Sequence, residues 1–198
     1  MHISEGVLSG PVLISGVILA AAGTSIGLKK LDFERIGQAG ILSASFFVAS
    51  LVHVPLGPSN VHLIMNGLVG ILLGWSAIPA ILVALILQAI LFQYGGVTTL
   101  GVNTVIMALP AVISYYVYRT IVRMNLRARF PAAFFAGSLA VLLSGGLAAL
   151  ALVSANEHFL EAAVLLASAH LPIMIIEGII TAFCVAFLQK VHSGILPL

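Results

Sequence analysis

Seven apolar runs take up almost the whole chain, at approximately residues 7–28, 39–56, 60–75, 77–94, 102–119, 131–154 and 161–189. A helix needs about 20 apolar residues, within a range of about 17–25, to cross the hydrocarbon of a bilayer, and most of the runs reach that length. Short segments join them: "KKLDFERIGQ", "VPLGPSN", "SAIP", "QYGGVTTLG", "VRMNLRARF" and "NEHF". Composition excludes a water-soluble alternative. Hydrophobic residues make up 61% of the 198 and charged residues 7%, against roughly 45–50% and 25% in soluble domains, and so few charges cannot cover a surface of this size. The expected fold is an all-α integral membrane protein with seven transmembrane helices. It forms a single membrane domain, 1–198, divided into an N-terminal segment 1–6, a bundle 7–189 and a short tail 190–198. The third run is short and the last is long. Pro110 and Pro172 fall inside the fifth and seventh runs, where proline frees a carbonyl and kinks a helix.

The basic residues are distributed one-sidedly. Lys29, Lys30 and Arg35 follow the first run, Arg119, Arg123, Arg127 and Arg129 follow the fifth, and Lys190 follows the seventh. Lys and Arg accumulate on the cytoplasmic side of short loops. With seven spans, all eight reach that side if the N-terminus lies outside and the C-terminus is cytoplasmic. The formal charge of +2 therefore marks topology and carries no sign of nucleic acid binding. No basic residue precedes the first apolar run, so no cleavable signal peptide is expected and the terminus should persist. The single cysteine, Cys184, permits no internal disulfide. His2, Glu5, His53, His62 and His158 then share the outer face, leaving His192 inside.

The opening "MHISEGVLSG" places an imidazole one residue from a free amine. Methionine aminopeptidases act before small residues, so Met1 is expected to be retained ahead of His2. The amine, the deprotonatable backbone nitrogen of His2 and its Nδ1 can close a five-membered and a six-membered chelate ring around one divalent ion. The residues alone leave a second reading open, in which His2 is only a polar, frayed terminus.

"HVPLGPSNVHL" holds His53 and His62 in a turn stiffened by two prolines and a glycine, with Ser59 and Asn60 available to bond backbone or orient a ring. "FQYGGVTTLGVN" brings Gln93, Thr98, Thr99 and Asn103 to the same depth. It reads either as an ordinary interfacial turn or as a plug over a substrate pocket, because non-helical backbone at that depth must be buried in protein or line a cavity. His170 and Glu177, seven residues apart, share one face of the last run, and such groups usually face the bundle interior. Their role is either proton-linked or one of packing. Gly70 and Gly74 form a small-xxx-small pair that suits close helix packing.

The Met-His-Ile start, the Pro/Gly turn ending in "VHL", the block "LQAILFQYGGVTTLGVNT" and the block "HLPIMIIEGIITA" together resemble the CbiM/NikM family. Its members are substrate-capturing membrane subunits of cobalt and nickel energy-coupling-factor transporters, and the resemblance spans nearly the whole chain. It implies a six-helix bundle of the S-component type with an extra N-terminal helix, and first residues that tuck into the bundle from outside. It also implies a nearly planar metal site, with the Met1 amine, the His2 backbone nitrogen, the His2 ring and His62 as donors in segment 1–6 and the turn. The turn departs from the cobalt type, in which the histidine is followed by Pro-Thr-Gly. Here it reads "GPSNVHL" and adds His53, which can replace His62, supply a fifth donor or orient the others.

Square-planar or tetragonal nitrogen coordination suits Ni(II) and Cu(II), and a looser version accepts Co(II), whereas Mg and Ca prefer oxygen. Nickel or cobalt is thus the expected substrate, with no organic cofactor. The chain lacks a GxxxxGK[ST] phosphate loop, so ATP hydrolysis is not expected of it. The resemblance implies partner ATPase subunits, a coupling T membrane subunit and a small two-span accessory subunit, working with membrane lipid in the cytoplasmic membrane of a prokaryote. Residues 119–129 are a plausible docking loop. The competing classes are an intramembrane metalloenzyme, which would require a clustered motif such as His-Glu-x-x-His, and a transporter for a different small solute. Roles for Gln93, Asn103, His158, His170 and Glu177 stay open at this level.

Overall fold

The computed structural model describes residues 2–56 and 59–196, with residues 54–56, 59–61, 157 and 193 described by backbone alone. Its elements in chain order are α1 (Gly10–Lys29), α2 (Ile36–Ala49), β1 (His53–Leu56), β2 (Ser59–His62), α3 (Asn66–Leu73), α4 (Ala77–Phe92), α5 (Leu100–Met124), α6 (Arg129–Ala155) and α7 (Leu160–Val191). Pro11 in the first turn of α1 has a ring-fixed φ already suited to a helix. Only Gly16, Ala20 and Gly27 of that helix are buried. Most of α1 therefore lies outside the packed bundle, on the flank of α4 and α5.

By length and composition five stretches among the described residues could cross a membrane: Gly10–Lys29, Leu100–Met124, Leu126–Ala155, Leu160–Val191 and Asn66–Phe92, the last of which is divided at Gly74 into α3 and α4. The second and third of the seven expected runs are not helical along their whole length. The second run ends as a helix of 14 residues, about 21 Å at ~1.5 Å per residue, and its last part is β1. The third run, expected as a span over 60–75, is a strand followed by the eight-residue helix α3. β1 and β2 pair antiparallel, with His53 opposite His62.

Helix α3 starts inside the bundle. Asn66 is fully buried and its Nδ2 donates to the Met107 carbonyl at 2.9 Å and to Ser144 Oγ at 2.8 Å. The two backbone N–H groups ahead of it, from Ile64 and Met65, donate to the Glu177 carboxyl of α7. At the other end Gly74, with φ +58°, reverses the chain so that α4 runs back antiparallel. Gly70 faces the backbone of Ala111 so closely that a Cβ there would collide with it. The small-xxx-small pair thus does two jobs: Gly70 packs α3 on α5 and Gly74 turns the corner.

The directions of the helices sort the polar residues into two ends. Ser76 Oγ bonds Gly27 O near the end of α1, and Arg35 Nη2 donates to Leu72 O at 2.6 Å. Lys29, Lys30, Arg35, Arg119, Arg123, Arg127, Arg129 and Lys190 consequently share one end. His2, the end of α4 and the start of α5 lie at the opposite one.

Replacing Gly70 by Ala should lower the melting temperature of the purified protein in detergent, since overpacking a tight helix contact typically costs about 1–3 kcal/mol. Gly37→Ala, where nothing lies within 4 Å of an added Cβ, is the control and should leave the melt unchanged or slightly raised. Equal melts for both variants would mean that α3 and α5 are not in close contact.

Candidate metal centre

The N-terminal segment lies against the end of α4 and the start of α5, where side-chain amides take the place of a neighbouring strand. The Ile3 N–H donates to Asn103 Oδ1 at 3.0 Å, and Asn103 Nδ2 donates back to Ile3 O at 3.1 Å. Glu5 N–H donates to the Gly95 carbonyl at 3.1 Å, and Thr98 N–H donates to Glu5 Oε1 at 2.9 Å. These bonds from Thr98 hold the Glu5 carboxyl below its ordinary range. The segment can lie this close because Gly95, at φ +77°, has no Cβ; one would sit 2.6 Å from Asn103 Nδ2. Ile3 and Leu8 bury their side chains below.

His2 is oriented by Gln88, a fully buried residue of α4 whose Oε1 lies 2.7 Å from His2 Nε2. With a carbonyl oxygen facing it, Nε2 carries the proton and the lone pair stays on Nδ1. Burial pushes the His2 imidazole down to about 4. His62, at the end of β2, directs Nδ1–H to the Leu63 carbonyl at 2.9 Å, which leaves its lone pair on Nε2. Burial lowers this ring too, to about 3. The centroids of His2 and His62 are 5.2 Å apart. With metal–nitrogen bonds of about 2 Å, two imidazoles on one ion hold their centroids roughly 4.5 Å apart in cis and roughly 6.3 Å in trans, so the observed spacing falls in the range that one ion can bridge. Tyr94 closes the cluster, its ring stacked on His62 at 6.4 Å and tilted against His2 at 5.5 Å.

Of the residues singled out from sequence, His2 and His62 meet, and His53 stands edge-on to His62 at 6.2 Å, exposed, with Nδ1 on Leu51 O. Met1 lies outside the described residues. Asn103, Thr98 and Thr99 hold the N-terminal segment or brace Asn103, whereas Gln93 is exposed and ends α4 at φ +57°. His158 is exposed on the α6–α7 turn and has no ring contact with the cluster among the described residues. His170 bonds the Leu166 carbonyl of its own helix, and Glu177 serves the start of α3. These two thus hold backbone. Gln88 and Tyr94 were not singled out from sequence. Gln88 is the one amide in the otherwise apolar "AIPAILVALILQAILF" of α4, and that isolation was the signal. Among the described residues no group of three or more His, Cys, Asp or Glu converges as an ion cage.

A helical bundle with apolar flanks, two half-length helices and a buried pair of imidazoles defines a multi-pass membrane protein with a polar cluster at one end of its bundle. The family profile described as "Cobalt uptake substrate-specific transmembrane region", CbiM, matches residues 2–195. The chain belongs to the CbiM family and is a transmembrane component of metal uptake. It is 41% identical to a Haemophilus influenzae protein assigned by name to metal transport, over 99% of this chain and 97% of that one. It is 32% identical to the cobalt transport protein CbiM of Clostridium tetani, over 98% and 86%. A crystal structure of a truncated transition metal transporter superposes with a TM-score of 0.86 at 26% identity, covering 97% of this chain and all of the other.

Docking of the N-terminal segment should weaken with acid. A His2 that titrates at 6.5 when released and at about 4 when docked favours docking fully above pH 6.5. That contribution is lost as pH falls toward 4, at up to about tenfold in the docking equilibrium per pH unit. Amide exchange at Ile3, corrected for its intrinsic rate, should accelerate over that window in the metal-free protein. Constant protection between pH 6.5 and 4 would show that the ring is not buried in solution.

Proposed function

We propose that the protein captures a nickel or cobalt ion at the outer face of a prokaryotic cytoplasmic membrane, as the substrate-specific subunit of an ATP-driven importer of the energy-coupling-factor type. The observation that carries this reading is the meeting of His2 and His62, each with its second ring nitrogen engaged so that a lone pair is directed elsewhere. The donors are the Met1 amine, the His2 backbone nitrogen, His2 Nδ1 and His62 Nε2, with His53 beside them at the exposed edge. Four nitrogens, one of them a deprotonated amide, suit nickel and copper, with cobalt next, over the oxygen-seeking ions. Named relatives fit both metals: besides the Clostridium tetani cobalt protein, a fused NikMN chain of Archaeoglobus fulgidus assigned to nickel transport is 30% identical over 99% of this chain and 68% of that one.

The outward direction of the histidine end rests on the positive-inside rule, since all eight Lys and Arg stand at the opposite end. That end, with the 119–129 loop and the C-terminus, is then cytoplasmic and available to a coupling membrane subunit and its ATPases. A small two-span subunit completes the assembly. The protein itself is a carrier and not an enzyme.

Inserting one alanine between Met1 and His2 keeps every side chain but lengthens the arm by roughly 3.3–3.6 Å, more than a bond of about 2 Å can absorb. Metal retention by the purified protein, read by mass spectrometry after growth in equimolar nickel and cobalt, should fall at least about tenfold. His62→Ala should abolish retention and His53→Ala should weaken it less. Full retention by the insertion variant would remove the chain terminus from the site, and a reversed order of the two histidine variants would make His53 the ligand.

A further inference from the structure

Tyr94 is the third ring at the histidine end, and the metal reading gives it no part. Its backbone is held on both sides. The chain leaves α4 at Gln93, in the left-handed region at φ +57°. The Tyr94 N–H then donates to the Gln88 carbonyl at 3.3 Å, and the Tyr94 carbonyl accepts from the Gly96 N–H at 3.1 Å. Gln88 therefore holds two rings at once, the phenol through its backbone carbonyl and His2 through Oε1. The half-buried phenol also packs on Phe92 at 5.6 Å, and Phe92 stacks on Phe47 of α2 at 5.4 Å. Packing and hydrogen bonds together fix the place of the Tyr94 ring.

The ring separations say where that place is. His2, His62 and Tyr94 form a triangle of centroids with sides of 5.2, 5.5 and 6.4 Å. Two rings lying edge to edge in one plane, with carbon contacts of roughly 3.5–4.0 Å, keep their centroids at least about 6 Å apart. At 5.5 Å and a tilt of 34°, Tyr94 has therefore risen out of the His2 plane and lies to one face of that imidazole, in the offset manner of aromatic pairs. When His2 chelates an ion through its backbone nitrogen and Nδ1, the six-membered ring so closed keeps the imidazole near the plane of the donors. A group lying to one face of His2 then stands on one axial side of the ion.

We infer that the Tyr94 ring covers one axial side of the bound ion, excludes water or a further donor from it, and so biases the site toward nickel over cobalt. The inference rests on the reading of His2 and His62 as donors to one ion. Planar nitrogen coordination suits Ni(II), whose planar complexes gain little from axial ligands. Co(II) gains more from an added axial donor, and the face of an aromatic ring offers none. Solvent access to a metal is set by such surroundings as much as by the ligands themselves. Tyr94 is in this sense a specificity residue that donates nothing to the ion.

The test uses the full chain in detergent, as the native protein, Tyr94→Phe and Tyr94→Ala. Azide, a small anion that binds an open position on cobalt, is titrated into the cobalt-loaded forms and followed by its charge-transfer absorption. Tyr94→Ala should bind azide at least about tenfold more tightly than the native protein, the scale on which loss of a supporting group around a metal is felt. The ratio of nickel to cobalt retained from an equimolar mixture should fall by a similar factor. Tyr94→Phe keeps the ring and should match the native protein in both measurements. Equal azide affinity in the native protein and Tyr94→Ala, or Tyr94→Phe behaving as Tyr94→Ala, overturns the axial cover. X-ray absorption of the cobalt-loaded native protein decides without any variant: four or five neighbours are expected, and six overturn the proposal. Failure of the donor reading shows separately, as undiminished metal retention by His62→Ala, and takes the proposal with it.

Discussion

A helix that begins inside a membrane bundle exposes N–H groups that water cannot reach, and in hydrocarbon each unsatisfied group costs several kcal/mol. Glu177 resolves that problem for α3. Its carboxyl oxygens accept from Ile64 and Met65, the latter in the left-handed region at φ +57°, and Asn66 anchors the first turn to α5 and α6. Because the chain can stop being helical there, the segment before it can enter the bundle as a hairpin. His62 precedes the first capped amide by only two residues, so its position follows from that carboxyl on α7. Without the cap, 60–75 would have had to remain helical, and His62 would have had no fixed relation to α7.

The N-terminal segment meets the same requirement in another way. An extended strand buried at the mouth of a helical bundle has no neighbouring strand, and Asn103 supplies one donor and one acceptor in place of it. Glu5 and Thr98 repeat the arrangement nearer the surface. Gln88 fixes the ring between these two ties. The backbone of residues 2–5 is thus specified by three separate polar contacts to α4, to α5 and to the turn joining them. That turn is the reason "FQYGGVTTLGVN" carries both glycines and amides. What the turn grips is the chain's own N-terminal segment, at Ile3 and Glu5.

Much of this was legible in the sequence, and the exceptions have physical causes. The apolar runs and the sharing of one end by every Lys and Arg follow from composition and spacing, the chelating potential of His2 from its place beside the terminus, and the pairing of His2 with His62 from the family resemblance alone. The broken third run does not, because hydropathy measures only whether a segment tolerates lipid, and "VHLIMNGLVGILLGWS" is as apolar as a true span. What breaks it is a partner far along the chain: Glu177, whose own role could not be seen without α3. Gln88 was hidden by the opposite effect, a single amide read as part of an apolar block. Gln93 and His158, whose roles the sequence leaves open, are both exposed.

The placement of the acids bears on which ion the histidine end can serve. Glu5 is turned to Thr98 and Glu177 is spent on α3, so both of these carboxyls are committed to backbone. Imidazoles held near 4 and 3 by burial stay neutral at physiological pH, and their lone pairs need no proton removed. A hard ion such as Mg, which dehydrates reluctantly and prefers oxygen, finds little to replace its water there. A softer divalent ion finds two neutral nitrogens already oriented, one by Gln88 and the other by the Leu63 carbonyl. Bringing a dication into such a site still requires negative charge, and a deprotonated backbone nitrogen at His2 supplies it only to an ion acidic enough to displace the amide proton. Selection against hard ions would then come from the same feature that holds the N-terminal segment and the start of α3: Glu5 and Glu177 are each already hydrogen-bonded to backbone.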